Sequence, residues 1–422
     1  MFDYKNREMN TVRIILHSDL NNCYASIESI AHPEYKKIPI AVGGDPEKRH
    51  GIILAKNELA KKYGIKTGEA LWQAKQKCPA LLILPPDFPL YQKYCTMAKN
   101  IYTEYTDLVE SFGPDEAWLD VTASTALFGS GEKIAEEIRQ RMKTELGLTV
   151  SIGVSFNKVF AKFGSDYKKP DAVTVIDEKN YKDIIWPARV GDLLFVGKSM
   201  ERELNRRGIF TIGDAAAAGR EKLLKSLGKN GERVYFYAAG LDTSPVLKYD
   251  EDIPIKSIGN SSTPPRDMKN FEDAKLMLYI LSESVAKRLR SHSLMCTGVQ
   301  IHLRDTELIT LERQKKLKFP TNISENICKE GLELLSRAWN FSTPLRSIGI
   351  RAIDLIPAEA PFQTTFFRDE IKEHKKECIE LTVDKIREKY GKESIVRSVL
   401  LTDPVLGAAN KPRQEPPAFR TH

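Results

Sequence analysis

The 422-residue chain has no apolar run near the roughly 18 residues that a membrane-spanning helix needs. Met1 to Asn10 carries charges of both signs and no apolar core segment, which argues against a secretory signal, so the expected location is the cytoplasm. Cysteine is sparse: Cys23, Cys78, Cys95, Cys296, Cys328 and Cys378 are scattered with no CxxC pair, which excludes a disulfide framework and leaves reduced thiols. Neither GxxxxGK[ST] nor GxGxxG occurs, which disfavours P-loop ATPases, protein kinases and dinucleotide enzymes. Internal repeats and long low-complexity tracts are also missing.

What remains is a soluble, globular composition, with 41% hydrophobic and 29% charged residues and a mean hydropathy of −0.36. At about 150 residues per domain, the length predicts roughly three domains with cores of their own. The net charge is +7, and most of the excess lies in one block, Lys256 to Ile356, which holds 16 Lys or Arg against 11 Asp or Glu. A basic block of this kind is compatible with a polyanionic partner.

The pattern along the chain predicts two α+β regions separated by a helical one. Val12 to Leu16 reads as a buried strand whose end delivers Asp19, and the stretch from there to Pro89 reads as helical and loop-rich. A helix is expected over Tyr91 to Thr106. Gly113-Pro114 turns the chain between Leu108-Val109 and Ala117-Leu119, placing Asp115 and Glu116 on or beside a hairpin. Ile134, Ile138, Met142 and Leu146 recur at helical spacing before Gly147, and Val150, Ile152 and Val154 alternate as a strand. Residues 177–243 show no convincing strand. Beyond Pro245 to Pro254, a linker, come helices over Phe271 to Leu289 and Ile323 to Trp339, with strands near Thr297 to Leu303 and Arg346 to Ile353. In the tail, Ile371, Cys378, Leu381 and Ile386 predict an amphipathic helix in a small packed appendage.

Asp19, Asp115 and Glu116 can converge on one sheet edge and offer oxygen ligands to divalent cations. Neighbours on a regular strand point to opposite faces, so Asp115 and Glu116 can share a site only if the turn distorts the backbone. Asn57 to Lys62 and Asn157 to Lys162 at helix starts, and Lys168-Lys169 before Pro170, add basic groups that can hold a triphosphate, although each taken singly reads more readily as a solvated face.

Three strings then carry a resemblance: Ser18-Asp19-Leu20-Asn21-Asn22-Cys23-Tyr24-Ala25-Ser26-Ile27-Glu28, Gly113-Pro114-Asp115-Glu116-Ala117-Trp118-Leu119-Asp120, and Gly153 to Lys162. Together they resemble the signature motifs of the Y-family translesion DNA polymerases, nearest to the branch of bacterial DNA polymerase IV. The resemblance implies an α+β, multidomain right-hand fold. Its palm would be residues 11–22 and 88–176, its fingers 23–87 and its all-α thumb 177–243. A linker, 244–255, would lead to an α+β little finger at 256–356, with 357–422 as a tail. It implies a template-directed, low-fidelity polymerase without proofreading that extends a primer 3′-hydroxyl. Two Mg²⁺ ions would be held by Asp19, Asp115, Glu116 and the Leu20 carbonyl, with Tyr24 as the steric gate against ribonucleotides. Lys169, with Lys162 as a weaker candidate, would bind the triphosphate, together with Asn57 and Lys61. Primer-template DNA and deoxynucleoside triphosphates would be the partners of a monomer.

The chain departs from the family pattern where Glu58 and Lys61 replace the usual Tyr and Arg over the triphosphate, and where Phe195 stands at a common glycine of the thumb hairpin. Gln363-Thr364-Thr365-Phe366-Phe367 is similar to the short peptide that docks in sliding-clamp grooves, with Gln363, Phe366 and Phe367 as its contacts, and reads equally as a linker. Two other functions stay open: a catalytically weak DNA- and clamp-binding scaffold of the same fold, and a nucleotidyl cyclase, in which the basic C-terminal block would have no purpose.

Overall fold

The computed structural model describes residues 12–44, 51–251, 254–361 and 370–407, which form two compact units divided near residue 252. In the first unit, β1 (Ile15–Leu20) runs almost directly into α1 (Cys23–Ala31). β2 (Ile40–Gly43), β3 (Ile53–Lys56), α2 (Glu58–Lys61), α3 (Leu71–Lys77) and β4 (Leu82–Leu84) follow. They build a separate three-stranded sheet in the order β3-β2-β4, on a small core that includes Ile53, Ile65, Leu71 and Leu81. This sheet corrects the expectation of a helical, loop-rich stretch. Its strands are only three or four residues long, too short to display a clear period of two.

The chain continues through α4 (Phe88–Thr103), β5 (Val109–Ser111), β6 (Glu116–Asp120) and α5 (Thr125–Phe128). It closes the layer with α6 (Gly131–Glu145), β7 (Val150–Ser155), α7 (Lys158–Tyr167) and β8 (Val173–Ile176). These strands form one sheet, β5-β6-β1-β7-β8, with β1 in the middle and antiparallel to both neighbours. All six residues of β1 are buried. On one face Leu16 and Leu20 join the core of Tyr102, Ile134, Ile138 and Met142 from α4 and α6. On the other, Ile15 packs with Trp118 and Ala161 of α7. The strand lies about three residues later than the apolar run suggests. His17 and Ser18 are tolerated inside because Ser165 and Tyr102 supply hydrogen bonds, both at 2.9 Å.

One close approach shapes the edge at which Asp19 lies. A Cβ on Gly153 would sit 2.0 Å from the Ala161 carbonyl and 2.6 Å from the Ser165 nitrogen, so β7 and α7 meet backbone to backbone. No residue but glycine allows this distance, which lays α7 low across β1.

Residues 177–243 are helical apart from an isolated bridge between Arg189 and Thr211. They comprise α8 (Tyr181–Ile184), α9 (Lys198–Asn205), α10 (Ile212–Ala218) and α11 (Arg220–Ala238), the last broken at Gly228. Their core includes Leu193, Leu204, Ile212, Leu223 and Val234.

In the second unit β9 (Ser257–Ser262), α12 (Phe271–Ser291), β10 (Leu294–Asp305), β11 (Thr310–Thr321), α13 (Ser324–Ala338) and β12 (Leu345–Pro357) form an antiparallel sheet in the order β11-β10-β12-β9. α12 and α13 cover one face through Met277, Leu281, Ile301, Leu335 and Ile350. β11 was not legible from the sequence, because as an edge strand only Leu311 and Leu317 reach the core while charged residues protect its free side. The strand register puts Arg304, Lys316 and Arg351 on the open face.

α14 (Glu370–Tyr390) packs onto this unit, but not by the expected apolar stripe. Ile371 is 85% exposed and Leu381 43%, and Cys378 faces solvent. The docking is ionic: Arg290 of α12 bridges Glu380 at 2.6 Å and Asp384 at 2.7 Å, while Glu283 takes Arg387 at 3.0 Å and Arg397 at 2.6 Å.

Candidate active site

The antiparallel register sets Asp19 of β1 directly opposite Glu116 of β6. Asp115 is not on the strand. It ends the turn after β5, and its carbonyl accepts a 3.1 Å hydrogen bond from the Leu20 N–H. Alternation therefore does not separate the two acids, and Asp19, Asp115 and Glu116 meet at the end of β1. The Leu20 backbone is tied to the same turn.

From α7 and the segment after it, two lysines reach the same carboxylates. Lys162 Nζ lies 2.8 Å from Glu116, 3.2 Å from Asp19 and 3.3 Å from Asp166. Lys169 Nζ lies 2.7 Å from both Asp19 and Asp166. Asp166 was missed from the sequence, although its spacing of four from Lys162 and three from Lys169 is that of helical ion pairs. His17, also missed, holds Nε2 3.3 Å from Glu116.

Electrostatics separates the three acids. Burial, then the like charges of Asp19 and Glu116, pushes the Asp115 carboxyl up to about 6. Burial opposes ionisation of Glu116 as well, but His17 and the Lys162 ammonium outweigh it and hold its carboxyl well below the usual range. Burial alone would lower the two lysines, yet Glu116 and Asp19 raise Lys162, and Asp19 with Asp166 raises Lys169, above the ordinary value.

Among the described residues no three acids or imidazoles already surround a common point as a metal cage. Lysines hold them instead. The donor set nevertheless fits a divalent ion: its side-chain donors are hard oxygens, and Lys162 and Lys169 are shared among the carboxylates of Asp19, Glu116 and Asp166, with Asp115 beside them and Lys99 as its nearest further cation. A cation entering here would meet charge that the protein leaves unbalanced.

Tyr24 stands in the first turn of α1, behind Asn22, whose φ of +51° is left-handed. Its ring is partly exposed beside Asp115, and burial followed by that charge pushes its hydroxyl up to about 12. The residues of α2 behave differently from one another. Asn57 is a brace: Oδ1 accepts from Ala60 N at 2.9 Å and Ile40 N at 3.2 Å, and Nδ2 donates to the Ile38 carbonyl at 2.8 Å. With its side-chain groups satisfied by backbone, Asn57 fits a structural role better than the nucleotide contact expected of it. Lys61 donates to Glu58 Oε1 at 2.7 Å, and Asn22 Nδ2 donates to the same oxygen at 2.7 Å. Glu58 thus ties α2 to the loop that precedes Tyr24.

Phe195 adopts φ +64°, left-handed and strained for a bulky residue. Its ring is 6.1 Å from Phe112 and 6.4 Å from Tyr237, with Arg233 5.4 Å above it. The departure from glycine replaces backbone access with an aromatic contact to the turn that carries Asp115. Gln363, Phe366 and Phe367 lie outside the described residues.

Residues 18–166 match the model of the impB/mucB/samB family, and residues 255–366 that of its C-terminal domain. The chain is 53% identical over 391 residues to DNA polymerase IV of Acetivibrio thermocellus, spanning 93% of this chain and 98% of that protein. To DNA polymerase IV 1 of Bacillus subtilis it is 36% identical over 389 residues, spanning 92% and 93%. A solved Y-family DNA polymerase chimera matches with a TM-score of 0.71 at 24% identity, over 82% of this chain and 99% of that one. That last likeness bears on the fold alone.

Proposed function

The chain belongs to the impB/mucB/samB family and is a Y-family DNA polymerase, and from that premise we propose how its residues divide the work of low-fidelity, translesion synthesis. The observation that carries the reading is the meeting of Asp19, Asp115 and Glu116 with Lys162 and Lys169 at one strand end. Asp19, Asp115, Glu116 and the Leu20 carbonyl would hold two Mg²⁺ ions, which when bound acidify the primer 3′-hydroxyl and neutralise the phosphates of the incoming nucleotide.

The protein's own groups prepare that site. His17 and Lys162 keep Glu116 ionised and oriented. Lys169, an ammonium on a flexible stem, can leave Asp19 for the triphosphate without breaking a forked pair. Lys61 joins it once released from Glu58. Tyr24 closes the space beside the sugar where a 2′-hydroxyl would project, which selects deoxynucleotides.

The regions implied by the family resemblance, palm at 11–22 and 88–176, fingers at 23–87 and thumb at 177–243, divide the first unit. The little finger at 256–356 offers Arg304, Lys316 and Arg351 on an open sheet face to the phosphate backbone. Low fidelity accords with the fingers, whose four-residue α2 and three short strands form too small a layer to enforce strong induced-fit selection. Gln363, Phe366 and Phe367 are the proposed clamp contact, and the polymerase is proposed to work as a monomer in the cytoplasm.

Extension of a labelled primer on undamaged and abasic templates, with Mg²⁺ and all four deoxynucleotides, tests the reading. Wild type is expected to extend both. Asp115→Ala/Glu116→Ala is expected to lose at least about a thousandfold in rate while still binding DNA, because ligands to the catalytic charge are gone. Equal extension by that variant would remove these acids from the chemistry.

A further inference from the structure

The gate residue is the outermost of three packed rings. Tyr24 stacks on Tyr91 with centroids 4.3 Å apart and planes 12° from parallel. Phe88 meets both edge-on, 6.0 Å from Tyr24 and 6.1 Å from Tyr91. Tyr91 and Phe88 come from the first turn of α4 and are 2% and 8% exposed. The Tyr91 hydroxyl donates a 2.5 Å hydrogen bond to Glu28 Oε1. Glu28 is itself buried, 9% exposed, and lies four residues after Tyr24 on the same face of α1.

These contacts close a loop. Tyr24 and Glu28, one turn apart on α1, both grip Tyr91, one by its face and the other by its hydroxyl. Packing alone would ask only for a ring of the right volume. A buried carboxyl group is costly to desolvate, and here the Tyr91 phenol satisfies it, which a phenylalanine of nearly the same volume would not. What the hydrogen bond adds is a fixed tilt and position for the Tyr91 plane, and Phe88, set edge-on, stops the stacked pair from sliding.

We propose that Tyr91, locked by Glu28, is the backstop that sets the angle of the Tyr24 ring and so determines how strictly the sugar is selected. This rests on the reading of Tyr24 as the sugar gate. A gate of this kind works by denying space to one oxygen atom, and a partly exposed ring in the first turn of a helix can tilt away when that oxygen presses on it. With Tyr91 behind it, Tyr24 has nowhere to go. Tyr91 is a positioning residue: it acts through Tyr24.

The experiment measures kcat/KM for a deoxynucleotide and for the matching ribonucleotide, opposite one template base, in the full chain. Tyr91→Ala is expected to lower the deoxy-to-ribo ratio by roughly tenfold, equivalent to about 1.4 kcal/mol, with deoxynucleotide kcat/KM changed by less than about threefold. Tyr91→Phe, which keeps the ring and loses the Glu28 bond, is expected to lie between Tyr91→Ala and wild type. A purely structural role would depress both substrates together and leave the ratio alone. Should Tyr91→Ala fail to fold, Tyr91→Leu, which fills volume without a flat face, carries the same expectation. A wild-type ratio in Tyr91→Ala or Tyr91→Leu, beside a relaxed ratio in Tyr24→Ala, overturns the backstop and keeps the gate. An unrelaxed ratio in Tyr24→Ala overturns both.

Discussion

The chain contains two clusters of opposed charge, built from different cations. At the end of β1, Asp19, Asp115, Glu116 and Asp166 face Lys162 and Lys169. Between α12 and α14, Glu283, Glu380 and Asp384 face Arg290, Arg387 and Arg397, with Arg290 only 6% exposed. The second cluster is balanced, and its guanidinium forks span two partners at fixed angles, so it acts as a clip. The first is short of positive charge, and its cations are point charges on flexible stems. The same types of residue make a fastening in one place and a cluster with an excess of carboxylate in the other, and the difference lies in the charge count and in the choice of lysine over arginine.

The largest effect should come from breaking the clip. Arg290→Ala leaves Glu380 and Asp384 without their buried partner, a change that costs about 3 kcal/mol in comparable settings. Hydrogen exchange in α14 should accelerate accordingly; unchanged protection would mean the helix is held by something other than these pairs.

A pH effect of at most about 3 kcal/mol should mark the site at the end of β1. Asp115 has its folded value raised from 3.8 to about 6, so its stabilising contribution is complete below about 4 and is lost as pH rises through about 6. In the presence of EDTA, the stability of wild type relative to Asp115→Asn should fall across that interval. Mg²⁺ binding, which needs the ionised acid, should strengthen over the same interval. A flat difference between the two proteins would show that Asp115 is not charge-frustrated.

The smallest effect is expected where one lysine meets one carboxylate at the surface. Lys61 and Glu58 are 39% and 48% exposed, so Glu58→Gln should alter stability by less than about 0.5 kcal/mol. It should nonetheless lower KM for the incoming nucleotide by about threefold, because Lys61 is no longer held back. Steady-state kinetics decides this, and an unchanged KM would exclude Lys61 from triphosphate binding.

Much of this was legible from local pattern. The Gly113-Pro114 turn placed Asp115 and Glu116 at a hairpin, and Ile134, Ile138 and Met142 marked α6, because turns and amphipathic helices are encoded by neighbours in sequence. The short strands around α2 and the charged edge strand β11 were hidden, since their pairing depends on distant partners. The tail helix misled for a related reason: its apolar residues suggested an ordinary core face, whereas it docks through arginines and acids that only the fold brings together. Tyr91 and Glu28 carried no signal as a pair, being 63 residues apart.

The sequence by itself determined the inventory of the candidate site: oxygen donors at a turn and a strand, lysines at i and i+7, a tyrosine at a helix start. Each of these depends on residues within one turn or hairpin. The tertiary structure decided which charges meet and how they titrate. Asp19 lies 143 residues from Lys162 and 150 from Lys169, and the pairing of β1 with β7, together with the close approach of α7 to Gly153, brings those ammoniums to within hydrogen-bonding distance of the carboxylate.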